Sequence, residues 1–286
     1  MKHLFFSLTC LGALGPLGCA SFGTFANSGN GDVEVVYGVD AEDNLKRGEL
    51  AVTAKNFAEA AKYFEYVKTK FPYLEAAKTA ELKLGDTDFE RDRFAEARDR
   101  YQNFVRLHPT HSRVDYAAYR AALTHYRDIP SDFFLLPPSS EKEQVEVKSA
   151  LTAMNEFLLT YPDSQFGAEA KKLLGDIKRR LAEHELSVAD FYAKRGRWPA
   201  VVGRLSVVAK SYGGVGYDER TFFGLYDAYQ KLNEPQKAAD VLRAYVGKYP
   251  EDPGAKRAQI LLASLPPLVE APKPTAVPDG APDAGR

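Results

Sequence analysis

Apolar side chains recur along this chain with the period of an α-helix. Phe57, Ala60, Ala61, Phe64, Val67 and Phe71 fall at offsets 0, 3, 4, 7, 10 and 14, which lines one helix face. Phe94, Ala97, Tyr101, Phe104 and Val105 line another in the same way. The two stretches are also copies of one unit. Gly48, Ala60, Phe64 and Pro72 stand at offsets 0, 12, 16 and 24, and Gly85, Ala97, Tyr101 and Pro109 repeat those offsets 37 positions later. Repetition at such a period predicts an all-α solenoid, in which a unit buries its apolar face only by stacking on the next. Small residues on the first helix (Gly48, Gly85) and the second (Ala60, Ala97) let the antiparallel pair approach closely. The aromatic fills the seam, and the proline ends the second helix. The pattern is tetratricopeptide-like, with about three residues more per unit than the usual 34.

Later units follow more loosely. Counting back 12 and 8 from Pro162 gives Ala150 and Met154, and from Pro250 gives Ala238 and Leu242. Gly213, standing in the proline's place after Tyr212, gives Val201 and Leu205. About five helix pairs are therefore predicted, with units 1–3 in residues 41–162 and units 4–5 in residues 163–264. The third pair is interrupted: a helix over Val114 to Arg127 is followed by an insertion at 129–140, and helix resumes near Glu141. The stretch from Glu169 to Tyr192 reads as a long helical region joining two halves, with Gly175 as a break point. Residues 19–40, rich in glycine and small polar residues, read as a flexible tether. The proline- and alanine-rich tail, 265–286, reads as disordered.

The first 18 residues read as a targeting segment: Met1-Lys2-His3, an apolar run from Leu4 to Leu14, then small residues. Leu17-Gly18-Cys19 resembles a bacterial lipobox, although Pro16 stands where an aliphatic is usual. Cys10 is too near the start to serve. Once this segment is removed, Cys19 is the only cysteine left, so no internal disulfide is available. The alternative is a plain secretory signal with an incidental cysteine. Lipid chains on Cys19 would anchor the protein durably, and Ala20 in place of an aspartate points by resemblance to the outer membrane. Of 286 residues, 45% are hydrophobic and 27% charged, with a formal charge of −1. That balance fits a folded soluble domain and excludes a global electrostatic pull toward nucleic acid.

No catalytic constellation emerges, and no cofactor or metal is expected. His108 and His111 are three apart, but Pro109 breaks the helix that would aim them together. Gly213-Gly214-Val215-Gly216 lacks a preceding strand and a lysine–serine pair, so it reads as a glycine-rich helix end. Glu183 and Glu185 read as solvated surface carboxylates. Tyr63, Tyr66, Tyr116, Tyr119 and Tyr126 either line an inner face or pack in the core. Phe133, Phe134, Leu135 and Leu136, in the insertion, have no seam to fill; they form a plug or a partner pocket. Trp198, preceded by Arg195-Gly196-Arg197, is an interface anchor or a seam aromatic.

Longer segments carry a family resemblance. Arg106-Leu107-His108-Pro109-Thr110-His111 with Val114-Asp115-Tyr116, Tyr161-Pro-Asp-Ser-Gln-Phe166, Leu181-Ala182-Glu183 with Ser187 to Tyr192, and Arg195-Gly196-x-Trp198-x-Ala200-Val201-Val202-x-Arg204 resemble the BamD family. These are tetratricopeptide lipoproteins of the β-barrel assembly machinery in Gram-negative outer membranes. The likeness spans roughly residues 41 to 250. It implies a non-enzymatic, lipid-anchored adaptor on the periplasmic face of the outer membrane. Its C-terminal repeats would dock the POTRA domains of a BamA-like protein, within the wider assembly complex, and its N-terminal repeats would offer a groove to terminal segments of unfolded barrel substrates. Carried onto this chain, Trp198, Arg204, Arg195 and Arg197 are the candidates for the partner surface, and Tyr119, Phe133 and Phe134 for the groove. The competing readings are an adaptor for periplasmic cell-envelope or division machinery, a solute-binding lipoprotein with a closed cavity, and an enzyme with a buried titratable pair.

Overall fold

The computed structural model describes residues 35–130 and 143–265. The expectations for the targeting segment, Cys19, most of the tether, Phe133, Phe134 and the tail lie outside the described residues. Eleven helices are present among them, and no strand: α1 (Ala41–Thr53), α2 (Phe57–Lys70), α3 (Glu75–Glu90), α4 (Phe94–Leu107), α5 (Val114–Arg127), α6 (Val145–Thr160), α7 (Gly167–Ala193), α8 (Trp198–Ser211), α9 (Asp218–Lys231), α10 (Pro235–Lys248) and α11 (Pro253–Ser264). Each packs on its neighbours in sequence, with α1 also meeting α3 and α5 meeting α7. That is the helix-hairpin stacking of a repeat solenoid.

The seams are built as the spacing requires. A Cβ on Gly48 would lie 2.4 Å from Cε1 of Phe64, and one on Gly85 2.7 Å from Cε1 of Tyr101. No side chain fits there, so glycine is what lets the ring cross the seam. Phe64, Tyr101, Met154 and Leu242 are fully buried, and Leu205 nearly so; each is worth about 1.5–3 kcal/mol of transfer free energy. A continuous apolar core runs from Tyr119 on α5 to Ala228 on α9, so the third, fourth and fifth pairs share one interior.

Two kinds of turn alternate. Within pairs, α1, α3, α7 and α9 end on a left-handed residue: Lys55 (φ 60°), Asp92 (φ 56°), Gly196 (φ 66°) and Asn233 (φ 58°). The next amide then donates back to the helix, as Asn56 N to Ala51 O (2.8 Å) and Arg93 N to Asp88 O (2.9 Å), which is the Schellman closure. Between pairs, Phe71, His108, Tyr161, Tyr212 and Tyr249 each donate their amide to the carbonyl four residues back, and Pro or Gly follows. The link from α5 to α6 replaces the first kind of turn with the insertion.

Three local features differ from the sequence expectation. Gly175 does not break α7, which runs unbroken for 27 residues, because its flanking turns are held by Ala170, Ile177 and Leu181 in the core. The tether ends before residue 40. Asn44, wholly buried, donates from Nδ2 to the carbonyls of Gly38 (3.1 Å) and Asp40 (2.6 Å). The ring of Tyr37 stacks on Tyr66 at 4.0 Å. Finally, α11 stands apart as an unpaired closing helix, with Asp252 capping it by accepting from Gly254 N (2.8 Å) and Tyr245 Oη (2.6 Å).

Arg100 on α4 ties three helices together, donating from Nε to Asp88 (2.7 Å) on α3 and from Nη1 to Glu65 (3.1 Å) on α2. Burial alone would raise the Glu65 carboxyl, but the hydrogen bonds and charges of Lys68 and Arg100 outweigh it and hold the group below its ordinary 4.5. A depressed folded value stabilises above the unfolded one and is lost as pH falls through the folded value. Thermal unfolding scanned downward from pH 6 should therefore lose about 1 kcal/mol or less from this site below pH 4.5. Glu65→Gln should flatten that part of the curve; an identical curve would exclude the linkage.

Candidate functional site: two grooves on the first helices

The first helices of the pairs, α1, α3, α5, α7 and α9, carry both candidate grooves. The N-terminal one, about 620 Å³, lies between α1, α3 and α5 and is lined by Glu49, Lys83, Asp86, Glu90, Tyr116 and Arg120 among others. Its floor is a tight polar cluster. Tyr101 and Tyr116 donate their hydroxyls to Asp86 Oδ1 (2.7 and 2.6 Å), and Arg120 Nε donates to Tyr101 Oη (3.1 Å). Arg120 also lies 3.6 Å from Asp86 and stacks over Phe89 at 3.9 Å. Burial and then the Asp86 charge push both phenols well above their ordinary range, so they remain neutral donors. Such a floor is rigid, because every member already has a partner. The rim pair Lys83–Glu49 (2.8 Å) is more exposed.

The C-terminal groove, about 600 Å³, lies over α8 between α7 and α9. Leu186, Ala189, Val201 and Leu205 form its apolar wall. Asp190 and Arg220, paired at 2.7 Å, stand exposed at its edge. Trp198 lines it, half-buried against the central core, so the indole acts as both seam aromatic and groove wall. Arg195 lies beside it in sequence, exposed, with its guanidinium 3.5 Å over the ring of Phe191, itself 49% exposed. Arg197 is exposed, and its amide closes the α7 turn on Tyr192 O.

Two sequence candidates sit elsewhere. Arg204 is not a free rim charge. Its Nη1 donates to Oε2 of Glu185 (3.1 Å), which is only 7% exposed. This also corrects the reading of Glu185 as a solvated carboxylate: α8 covers it. Its neighbour Glu183 accepts from Tyr217 Oη (2.5 Å). Tyr119 is not on a groove either. It is 3% exposed, stacked on Phe166 at 4.9 Å and tilted against Phe157 at 5.5 Å; burial followed by Glu169 raises its phenol. His108 and His111 diverge to Glu81 (2.9 Å) and Glu75 (3.1 Å). Gly214 donates its amide to Asp218, the first residue of α9 (2.8 Å).

Sequence reasoning missed a third concavity, about 750 Å³, between α4, α5 and α6. Ala118, Ala121, Ala122 and Ala153 keep its floor low, and His125 lies at its edge. Burial and then the nearby Arg98 guanidinium, 3.0 Å from Nδ1, hold that imidazole below its ordinary value and neutral. Asp86 and Arg120 were missed as well, since aromatics stand out against the repeat pattern and charges do not. The signal present was the seven-residue spacing of Arg113, Arg120 and Arg127.

Residues 39–244, from the end of the tether into α10, match the YfiO family, described as outer membrane lipoprotein. The chain belongs to this family. Similar proteins include outer membrane protein assembly factor BamD of Neisseria meningitidis serogroup A, 28% identical over 237 residues, covering 82% of this chain and 87% of the relative. BamD of Vibrio cholerae is 26% identical over 202 residues, covering 70% and 83%. Among solved structures, the TPR2AB-domain:pHSP90-complex of yeast Sti1 overlaps 78% of this chain and 84% of that one at 14% identity, with a TM-score of 0.39. The matched YfiO region contains both grooves and stops short of α11. No described helix is long and apolar enough to cross a membrane.

Proposed function

We propose that this chain is an outer membrane protein assembly factor, tethered through Cys19 on the periplasmic face, that binds two kinds of polypeptide on its first helices. The α7–α9 groove with Trp198 and Arg195 receives the POTRA domains of a BamA-like barrel protein. The α1–α3–α5 groove receives segments of unfolded β-barrel substrates. The observation that carries the reading is the presence, inside the family-matched region, of two separate grooves: one apolar with a half-buried indole, the other floored by a fixed polar cluster. Buried aromatic anchors suit a lasting subunit contact, and a polar floor suits transient contact with changing sequences.

Affinity purification from solubilised outer membranes tests it. A POTRA-bearing barrel protein should co-purify with the parent and be depleted with Trp198→Ala. Recovery of peptidoglycan or division enzymes in its place would favour the cell-envelope adaptor. For the anchor, Cys19→Ala should move the protein from the membrane pellet to the soluble periplasmic fraction; continued pelleting in high salt would refute acylation as the tether.

A further inference from the structure

Each turn between pairs carries the chain from the end of a second helix to the start of the next first helix, so these turns and the start of α1 share one edge of the repeats. Contacts along it agree. Tyr37, ahead of α1, stacks on Tyr66 near the end of α2 at 4.0 Å. Nε2 of His111 lies 3.1 Å from a Glu75 carboxylate oxygen, joining the second turn to the first. Ser164 Oγ donates to Asp115 (2.7 Å), joining the third turn to the second.

Large apolar side chains stand in water along this edge. Tyr73, in the first turn, is 99% exposed, and Leu74 beside it is exposed as well; Val39, just before α1, is 97% exposed. Leu107 and Leu159, at the ends of α4 and α6, are exposed too. Leu107 shares a hollow of about 350 Å³ with Glu75 and Lys78, so it borders the Tyr73–Leu74 tip. None of the five lines either groove. The last two turns between pairs, residues 212–217 and 249–252, expose no large apolar side chain. The apolar edge therefore belongs to the first three pairs, where the segment leading to Cys19 joins the fold. Charge singles out no ionic partner there. Exposed Lys70 and Arg106 stand with exposed Asp40, Glu42 and Asp163, and Glu75 is paired with Lys78 (2.6 Å).

We propose that this edge rests on the phospholipid surface, with Tyr73, Leu74 and Leu107 entering the headgroup layer. The proposal rests on the Cys19 anchor read above and says which side of the fold that anchor holds against the bilayer. Tyr37 is 18 positions after Cys19, so a lipid on that cysteine keeps this edge at a high effective concentration against the membrane. Leucine gains by leaving water for the boundary between headgroups and acyl chains, and tyrosine suits that layer because its hydroxyl stays wet. The backbone of the tip is already bonded, Leu74 N to Phe71 O and Ala77 N to Leu74 O (both 3.0 Å), which lowers the cost of entry. Position favours lipid over a protein partner: the apolar tips belong to three successive pairs beside the point of attachment.

The test uses the full mature chain, purified from membranes and placed in vesicles of phosphatidylethanolamine and phosphatidylglycerol. An environment-sensitive fluorophore is carried on Tyr73→Cys, Leu107→Cys or Glu96→Cys, the last exposed near the start of α4 and so at the opposite edge. Lipids with a quencher on the acyl chain should dim the probes at 73 and 107 by at least about half and leave the one at 96 unchanged, since interfacial apolar side chains reach about 5–10 Å into that boundary. Leu74→Asp, with circular dichroism unchanged, should restore at least about half of the signal lost at 73, because a charge at that depth is costly. Phosphatidylcholine vesicles should give the same pattern, since the contact is apolar. Equal quenching at all three positions, or at none, in protein that floats with the vesicles would overturn the proposal and leave the anchor standing. So would shielding of position 73 only when a solubilised outer-membrane protein fraction is added. If mass spectrometry finds no acyl chain on Cys19, the anchor reading itself falls.

Discussion

Gly48→Val will destabilise the chain by about 2–3 kcal/mol, although the same change raises helix propensity by a few tenths. The seam leaves no room: the Cβ alone would come within 2.4 Å of Phe64 Cε1 and 2.8 Å of its Cζ. Phe64 is fully buried between α1, α2 and α3, so its ring cannot swing aside without opening the first pair. Gly175→Ala is the matched control. It too is a helical glycine, but nothing lies within 4 Å of its Cβ position. Alanine there should stabilise by about 0.5–1 kcal/mol through reduced backbone freedom in the unfolded chain. Urea unfolding of the two variants gives opposite shifts if glycine is needed for approach at position 48 and incidental at 175. Equal shifts of one sign would remove the seam explanation.

Arg204→Ala will cost about 2 kcal/mol, and Arg204→Glu more, through the fold before any partner is involved. The Glu185 side chain is 9% exposed and Arg204 is its ion-pair partner at 3.1 Å. Removing one member of a buried pair strands the other charge. The loss of about 3–5 kcal/mol typical of a fully buried pair is reduced here because the arginine is 42% exposed. Replacing both with leucine should recover most of the stability, since a matched apolar pair avoids the desolvation cost. The same variants separate structure from docking. If Arg204→Ala keeps its unfolding midpoint yet loses the POTRA-bearing partner proposed above, Arg204 touches that partner directly. If the double leucine variant is stable and still captures the partner, Arg204 serves the fold.

The repeat architecture could be read because its cause is local. Gly48 with Phe64, and Gly85 with Tyr101, are spaced by the geometry of two helices and a turn, so the offsets carry the packing. Even Ala150, Met154, Ala238 and Leu242, found only by counting back from prolines, are fully buried. Interactions between units were less legible. Glu185 looks like any surface carboxylate until α8 is laid over it, and Tyr119 looks like a groove residue until Phe157 and Phe166 arrive from α6 and the turn after it. The intrapair turns were hidden for another reason: Lys55 and Asp92 adopt the left-handed conformation without being glycine, so composition gives little sign of them. Trp198 was legible as a seam residue, and its half-buried place against the central core bears that out; it also lines the C-terminal groove, where its part as an anchor is the proposal.

The most direct test of polypeptide binding on the first helices is photo-crosslinking in living cells from two positions on opposite sides of the repeats. Glu90, exposed at the α1–α3–α5 groove, reports one side, and Leu159, 84% exposed on α6, the other. A crosslinker at Glu90 should trap newly made β-barrel proteins, whereas one at Leu159 should trap few. Adducts from Leu159 alone, or equal adducts from both, would contradict the account.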